Sequence, residues 1–290
     1  MLTEADCSKL MLKELSRCMG DDFKSVGIDE PYKEAQYLIC LSLDWDILQF
    51  LRSEEVFVPR EQQSKLWGLF QRRLDREPMA YLVGEKEFYG RSFKVGPGAL
   101  IPRPETEHLI EWVLESHEKV PYETGIDLCS GPGTVGLTLI KELNIPFSLV
   151  ELSDLSMNYA MQNVDMLGCS GKSSLCLDDV TKQMNLEKVD LIVSNPPYVP
   201  TKDMTNLERD VREYEPHMAL DGGGDGLDFL DKMMENINSI AKPGCHLYLE
   251  LGDGQMEILK THKFEGWKCD GWRYDLARIP RIVRYAFKSD

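Results

Sequence analysis

The sequence predicts an α/β fold: a mostly parallel, helix-covered sheet preceded by a small all-α N-terminal domain. Three observations lead there. From Leu100 onward, short apolar runs alternate with helical segments, the pattern of strands joined by helical crossovers. Up to about residue 76, apolar residues recur at spacings of three and four instead. Between Met79 and Leu100 the chain turns aromatic and β-branched and is broken by Gly84, Gly90, Gly96 and Gly98, which reads as a β-hairpin linker. With 290 residues the chain can hold two cores, since one domain usually takes roughly 100 to 200. The expected division is a helical bundle over 1–76, a hairpin over 77–100 and the α/β domain over 101–290.

In the bundle, Cys7, Leu10, Met11, Leu15 and Cys18 mark one apolar stripe and Leu66, Leu69, Phe70 and Leu74 another. Ala35 to Leu43 and Trp45 to Leu51 supply the middle. Asp29 is the expected N-cap before Pro31, and Pro78 the expected stop of the last helix. Arg72, Arg73 and Arg76 read as a solvated helix face, with an acidic partner as the alternative. Strands are expected at Gly125 to Cys129, Phe147 to Leu152, Ser173 to Leu177, Asp190 to Ser194 and His246 to Leu251. Two more, Trp267 to Leu276 and Ile282 to Phe287, are joined too briefly for a helical crossover and should form an antiparallel hairpin.

Composition narrows the function class. Hydrophobic residues at 42% and charged ones at 28% are ordinary for a globular protein, which argues against disorder or a fibrous repeat. A net charge of −16 argues against broad contact with phosphate backbones, whose binding draws on basic side chains releasing counterions. The eight cysteines contain no CxxC pair and the five histidines no HxxxH, so no metal is expected. Cys129 and Cys176 read as small buried thiols of a reducing compartment. No apolar run approaches the ~20 residues of a membrane span. The acidic start, MLTEADCSKLMLKEL, lacks a signal-peptide pattern, so the cytoplasm is the expected location.

The run Asp127-Leu128-Cys129-Ser130-Gly131-Pro132-Gly133 follows a strand and opens a helix, a place where glycines let backbone approach a ligand. Glu151 ends the next strand, where a carboxylate can accept both hydroxyls of a ribose. Asp179, with Val180 beside it, is expected at an adenine edge. Gly131, Gly133 and Gly136 also satisfy a dinucleotide fingerprint, with Glu151 20 residues past Gly131, so a nicotinamide cofactor is the literal alternative. Asp127, just ahead of the loop, favours a cofactor with a cationic amino acid end.

Ser194-Asn195-Pro196-Pro197-Tyr198 falls at the carboxyl end of a strand, where ligands of open α/β sheets bind. An amide or aromatic amine nitrogen is a poor nucleophile because its lone pair is delocalised. The Asn195 side-chain oxygen and the Pro196 carbonyl can each accept one N–H of a substrate NH2, matching two donors with two acceptors. The paired prolines stiffen the loop, and Tyr198 offers a face for a planar group. This reads as methyl transfer from S-adenosylmethionine to a planar NH2, in either a glutamine amide or a nucleobase. A non-catalytic docking protein is the third reading.

Four segments then narrow the choice. Glu77-Pro78-Met79-Ala80-Tyr81-Leu82-Val83-Gly84 with Glu87-Phe88-Tyr89-Gly90 is the first, and Leu100-Ile101-Pro102-Arg103-Pro104-Glu105-Thr106-Glu107 the second. Asn195 to Tyr198 is the third, and Glu215-Pro216, Ala219-Leu220-Asp221-Gly222-Gly223 and Asp225-Gly226-Leu227 form the fourth. From about Arg76 to its end the chain resembles the HemK/PrmC family, the N5-glutamine methyltransferases of peptide chain release factors.

The resemblance implies a helical N-terminal domain that docks the release factor, a hairpin linker, and a seven-stranded Rossmann-like methyltransferase sheet with its last strand antiparallel. It implies class 1 release factors as partners, through the glutamine of a Gly-Gly-Gln loop. It assigns the cofactor loop to Cys129, Ser130, Gly131, Pro132 and Gly133, the ribose to Glu151, the adenine side to Asp179 and Val180, and the substrate amide to Asn195, Pro196, Pro197 and Tyr198. Arg103, Glu105 and Glu107 are further site candidates, although Pro104 and Glu105 also suit a plain helix start. Two positions depart from the family pattern, Cys129 and Arg278, where glycine is usual.

Overall fold

In the computed structural model, which describes residues 1–288, the N-terminal helices are α1 (Leu12–Ser25), α2 (Pro31–Leu43), α3 (Ile47–Arg52), α4 (Arg60–Leu74) and α5 (Met79–Val83). The α1 stripe lies one register from the expected one. Met11 precedes the helix, and Leu12, Leu15, Met19 and Phe23 are its buried large apolar residues, of which Leu15 was expected. Helix α2 starts with Pro31 at its first position and Glu30, not Asp29, as N-cap. Proline's fixed φ and missing N–H suit that position without a side-chain cap. Pro78 begins α5 instead of ending α4, and Gly84 closes α5 at φ +82°, so the hairpin is shorter than the sequence suggests.

The hairpin is β1 (Glu85–Phe88) and β2 (Arg91–Lys94). After it come α6 (Glu107–His117), β3 (Gly125–Leu128), α7 (Thr134–Leu143), β4 (Phe147–Glu151), α8 (Asp154–Leu167), β5 (Ser173–Leu177) and β6 (Val189–Ser194). The chain continues through β7 (Val199–Pro200), α9 (Arg209–Tyr214), β8 (Asp221–Gly223), α10 (Asp228–Asn236) and β9 (Ala241–Glu250). It closes with α11 (Gln255–Leu259), β10 (Trp267–Tyr274) and β11 (Pro280–Phe287). Seven strands form one sheet of order β10-β11-β9-β6-β3-β4-β5, in which β11 is antiparallel to both neighbours. Strand β9 begins five residues before the expected His246. Val189 pairs with Ala241 but Leu191 with His246, and this register shift absorbs the extra length.

Alternation along the strands sends side chains to two cores, as the period of two requires. Ile192, Leu247 and Leu249 enter one core with Leu230, Met233 and Met234 of α10. Leu191, Val193 and Tyr248 enter the other, with residues of α6 and α7 such as Val113 and Leu137. No helix among the described residues is long and apolar enough to cross a membrane.

The chain divides into two compact units, Met1–Gly84 with Arg209–Tyr214, and Glu85–Glu208 with Glu215–Asp290. Helix α9 belongs to the first unit through charge. Asp210 accepts from Arg73 Nη1 at 2.7 Å and from Arg76 Nε, while Glu34 takes Arg73 Nε at 2.5 Å. Arg72 pairs with Glu77. Two of the three expected solvated arginines therefore lie in an internal ion-pair cluster, with the Arg73 side chain only 5% exposed, while Arg72 stays half-exposed. Asp210→Ala removes the carboxylate that two desolvated guanidiniums share. Breaking such a pair costs about 3 kcal/mol or more, a loss that urea unfolding should register in the N-terminal helices. An unchanged midpoint would mean that water already screens these charges.

Candidate active site

The parallel strands end on one level. Leu128 of β3 pairs with Val150 of β4 and Ser194 of β6, and Ser194 pairs with Leu249 of β9. The next residues lie at one edge of the sheet, Glu151 and Glu250 as the last of their strands and Cys129 and Asn195 just past theirs. Ser194 Oγ donates to the Leu128 carbonyl at 2.7 Å, which ties the exits of β3 and β6. Above these ends lies a cavity of about 430 Å³. Its wall includes Arg103, Asp127, Cys129, Ser130, Gly131, Pro132, Glu151, Asp179, Val180, Asn195 and Pro197. Gly133, Glu105, Pro196 and Tyr198 are not part of it.

The loop after β3 is set by backbone conformation. Cys129 and Gly131 both lie at φ +58° and Gly133 at +82°. A Cβ on Gly131 would have only Ser156 Oγ within 4.0 Å, so this glycine leaves its side of the loop open. A glycine would adopt the φ of position 129 without strain, and a cysteine there takes on about 1 kcal/mol. Gly131 N–H donates to Glu151 Oε2 at 2.8 Å and Ser153 N–H to Oε1 at 2.8 Å, so the carboxylate is held with lone pairs to spare. Asn163, fully buried, donates to the Pro132 carbonyl at 2.8 Å and fixes the loop's far side.

Two features of this wall are polar and poorly satisfied. Ser130 Oγ and Thr134 Oγ1 are buried in it without a hydrogen-bond partner among the described residues, a costly state unless something else meets them. Asp127 is 1% exposed, and among the described residues its Oδ2 accepts only from Gly136 N–H, at 2.7 Å. Burial pushes its carboxyl up to about 8, against the pull of that hydrogen bond. Asp179 differs. The Thr181 hydroxyl and then Lys182 hold its carboxyl below the usual range, so it is a fixed acceptor on the cavity wall.

The segment after β6 is clamped on its backbone. Val199 N–H donates to the Leu220 carbonyl, and β7 pairs with β8. Gln255, 4% exposed, donates to the carbonyls of Tyr198 at 3.1 Å and Gly226 at 2.9 Å. Gly222 packs so closely that a Cβ there would lie 2.6 Å from the Gly226 oxygen and 2.8 Å from the Pro197 oxygen. Backbone atoms cannot swing aside. Gly222 and Gly226 thus serve the loop that carries Asn195.

The side chains there converge on one buried acid. Asn195 Nδ2 donates to Thr106 Oγ1 at 3.3 Å, and Thr106 Oγ1 donates to Glu250 Oε2 at 2.5 Å. Tyr198 donates its hydroxyl to Glu250 Oε1 at 3.4 Å while its ring packs beside Gly252. Arg103 pairs with Glu215, which also accepts from Ile101 N–H at 3.0 Å. Glu107 accepts from Tyr89 N–H at 2.8 Å, a structural tie to the hairpin turn. Asn163, Glu250 and Gln255 were not singled out in the sequence, while Thr106 and Glu215 stood within its motif segments without an assigned role.

The strand order and the loops at the strand ends are those of the Rossmann-like methyltransferases. The sequence profile of the methyltransferase small domain matches residues 106–219, and that of the PrmC N-terminal domain matches 14–84. Among solved structures, a methyltransferase from Pyrococcus furiosus superposes with a TM-score of 0.50 at 16% identity, covering 70% of this chain and 92% of that one. The catalytic domain of hMettl16 superposes with a TM-score of 0.53 at 16% identity, over 80% and 83%. These likenesses establish the fold.

The chain belongs to the release factor glutamine methyltransferase family. It is 37% identical over 258 residues to the family member of Thermodesulfovibrio yellowstonii, covering 87% of this chain and 91% of that one. To that of Nitratidesulfovibrio vulgaris it is 31% identical over 287 residues, with 97% of each chain covered.

Gly222→Ala drives a Cβ into three backbone atoms of the Asn195 loop and its neighbour. Expected is a loss of activity of at least tenfold with the helical unit's melting unaltered. Full activity in this variant would show that the loop tolerates displacement.

Proposed function

We propose that this protein transfers a methyl group from S-adenosylmethionine to the side-chain amide nitrogen (N5) of the glutamine in the Gly-Gly-Gln motif of class 1 peptide chain release factors. The observation that carries this reading is Asn195 on the wall of the same cavity as Asp127, Glu151 and Asp179, in a chain of this family. Asp127 would meet the cofactor's ammonium, Glu151 its ribose hydroxyls, and Asp179 with Val180 its adenine. Ser130 and Thr134 would find in it the partners that their hydroxyls lack. The cofactor, when bound, supplies a sulfonium-activated methyl group.

The protein's own residues act on the nitrogen. Asn195 Oδ1 and the Pro196 carbonyl accept the two N–H groups, which fixes the amide's place and favours the pyramidal nitrogen. Pro197 keeps the loop rigid, and Tyr198 holds it through its hydroxyl. No strong base is needed, because a methylated amide nitrogen is acidic and releases its proton late, to water. Positioning supplies most of the acceleration, an effect that reaches roughly 7 to 11 kcal/mol in favourable cases. Docking of the release factor falls to the helical unit, and the net charge of −16 argues for a protein partner over nucleic acid in the cytoplasm.

Incubation with labelled cofactor and a release factor should label the wild-type factor and not one whose Gly-Gly-Gln glutamine is replaced. Equal labelling of the two, or comparable transfer to DNA or RNA, would refute the glutamine assignment. Asn195→Ala is expected to lower kcat at least a hundredfold while leaving the affinity for S-adenosylhomocysteine within about twofold.

Asp127→Asn makes a separate prediction. Because burial raises its folded-state pKa from 3.8 to about 8, its contribution to stability is fully present below about 3.8 and is lost as pH rises through 8. The asparagine variant should therefore gain stability relative to wild type at pH 9 but not at pH 4. Its affinity for S-adenosylhomocysteine should fall about tenfold, roughly 1.4 kcal/mol, in calorimetry. Unchanged affinity would remove Asp127 from the site.

A further inference from the structure

We infer that Thr106 and Glu250 are positioning residues that dictate which way round the Asn195 amide is held, and so which of its atoms meets the substrate nitrogen. This rests on the proposed function, in which Asn195 Oδ1 accepts a substrate N–H.

The argument is one of hydrogen count. A threonine hydroxyl has a single hydrogen and two lone pairs. Thr106 gives that hydrogen to Glu250 Oε2 at 2.5 Å, so towards Asn195 it has only lone pairs to offer. The partner at 3.3 Å must then be the amide nitrogen, and Nδ2 is the atom found there. Oδ1 is left for the cavity. With the amide reversed, oxygen would face oxygen at Thr106, and the Asn195 NH2 would confront the substrate NH2, donor against donor. The polarity of the whole chain is thus set at its buried end, by a carboxylate that can only accept.

Position supports the role. Thr106 is 4% and Glu250 2% exposed, so water does not supply substitutes for these bonds. The other oxygen of Glu250 accepts from Tyr198, so one carboxylate orients both ends of the Asn195 to Tyr198 segment. The charged groups facing Glu250 are Arg281, which favours its anion, and Glu105, which opposes it. Burial outweighs both and raises its carboxyl to about 7. A proton taken up there turns the acid into a donor towards Thr106. The threonine hydrogen can then swing to Asn195 and reverse the amide.

The test uses the full-length enzyme with a release factor as substrate. Thr106→Val, which keeps the shape and removes the hydroxyl, should lower kcat 30- to 100-fold while affinity for S-adenosylhomocysteine stays within twofold, which also reports that the site is folded. Thr106→Ser should recover most of the loss. Adding Thr106→Val to Asn195→Ala should slow that variant no further, because the threonine acts only through the asparagine. In the wild type, kcat should fall as pH drops below about 7, and Glu250→Gln should flatten that limb, since glutamine takes up no proton.

A Thr106→Val enzyme as fast as wild type, additive losses in the double variant, or the same acid limb in Glu250→Gln would each overturn the positioning role while leaving the proposed function standing. A wild-type enzyme that leaves release factors unmethylated would overturn both.

Discussion

Everything at the site depends on the parallel pairing that ends β3, β4, β6 and β9 on one level. Leu128, Val150, Ser194 and Leu249 sit side by side in the ladder, so the four residues that follow them lie at one edge of the sheet. Parallel strands alternate their side chains in step, and a slip of one residue would turn a functional group into the core. The Ser194 hydroxyl on the Leu128 carbonyl resists such a slip where it would do most harm. The register thus sets the floor of the cavity, and the loops that follow the strands build its wall.

Two acids in this region are kept close to neutrality by burial. Asp127 and Glu250 are both raised into the range of 7 to 8, yet their surroundings give them opposite uses. Asp127 lies on the cavity wall with spare lone pairs, so a cationic group arriving there would offset its desolvation directly. Glu250 faces two hydroxyl donors and contributes orientation. Asp179, with a hydroxyl and a lysine already in place, is charged whatever arrives. A strongly acidic chain therefore presents a graded set of carboxylates, ranked by how much water each retains.

Much of this could be read from the residues because the signals were local. Asn195 to Tyr198 and Asp127 to Gly133 are contiguous runs at the ends of apolar strands, and the alternation of runs and helices gave the sheet. What stayed hidden depends on contacts distant in sequence. Nothing about Arg72, Arg73 and Arg76 foretells Asp210, 134 residues beyond Arg76, so a charge cluster looked like a surface. Thr106 is 144 residues from Glu250 and 89 from Asn195. Glu250 did carry a signal, however. It ends the apolar run Leu247-Tyr248-Leu249 as Glu151 ends Ser148-Leu149-Val150, and the rule that picked out the one applies equally to the other.

The two departures from the family pattern share one cause. Cys129 sits at φ +58° and Arg278 at +62°, both in the left-handed region that glycine enters without strain. Each site therefore asks for a backbone shape. At Arg278 the turn is kept by Asp275, which accepts from Ile279 N–H at 2.9 Å and pairs with Arg281 at 3.0 Å. At Cys129 it is kept by the strand before it and the Glu151 carboxylate across the loop, which holds Gly131. The strain of about 1 kcal/mol at each position is small against the ladder and ion pairs around it, so the loops keep their shape with a different residue in the turn. A cysteine can thus stand on the cavity wall without altering the path of the chain that forms it.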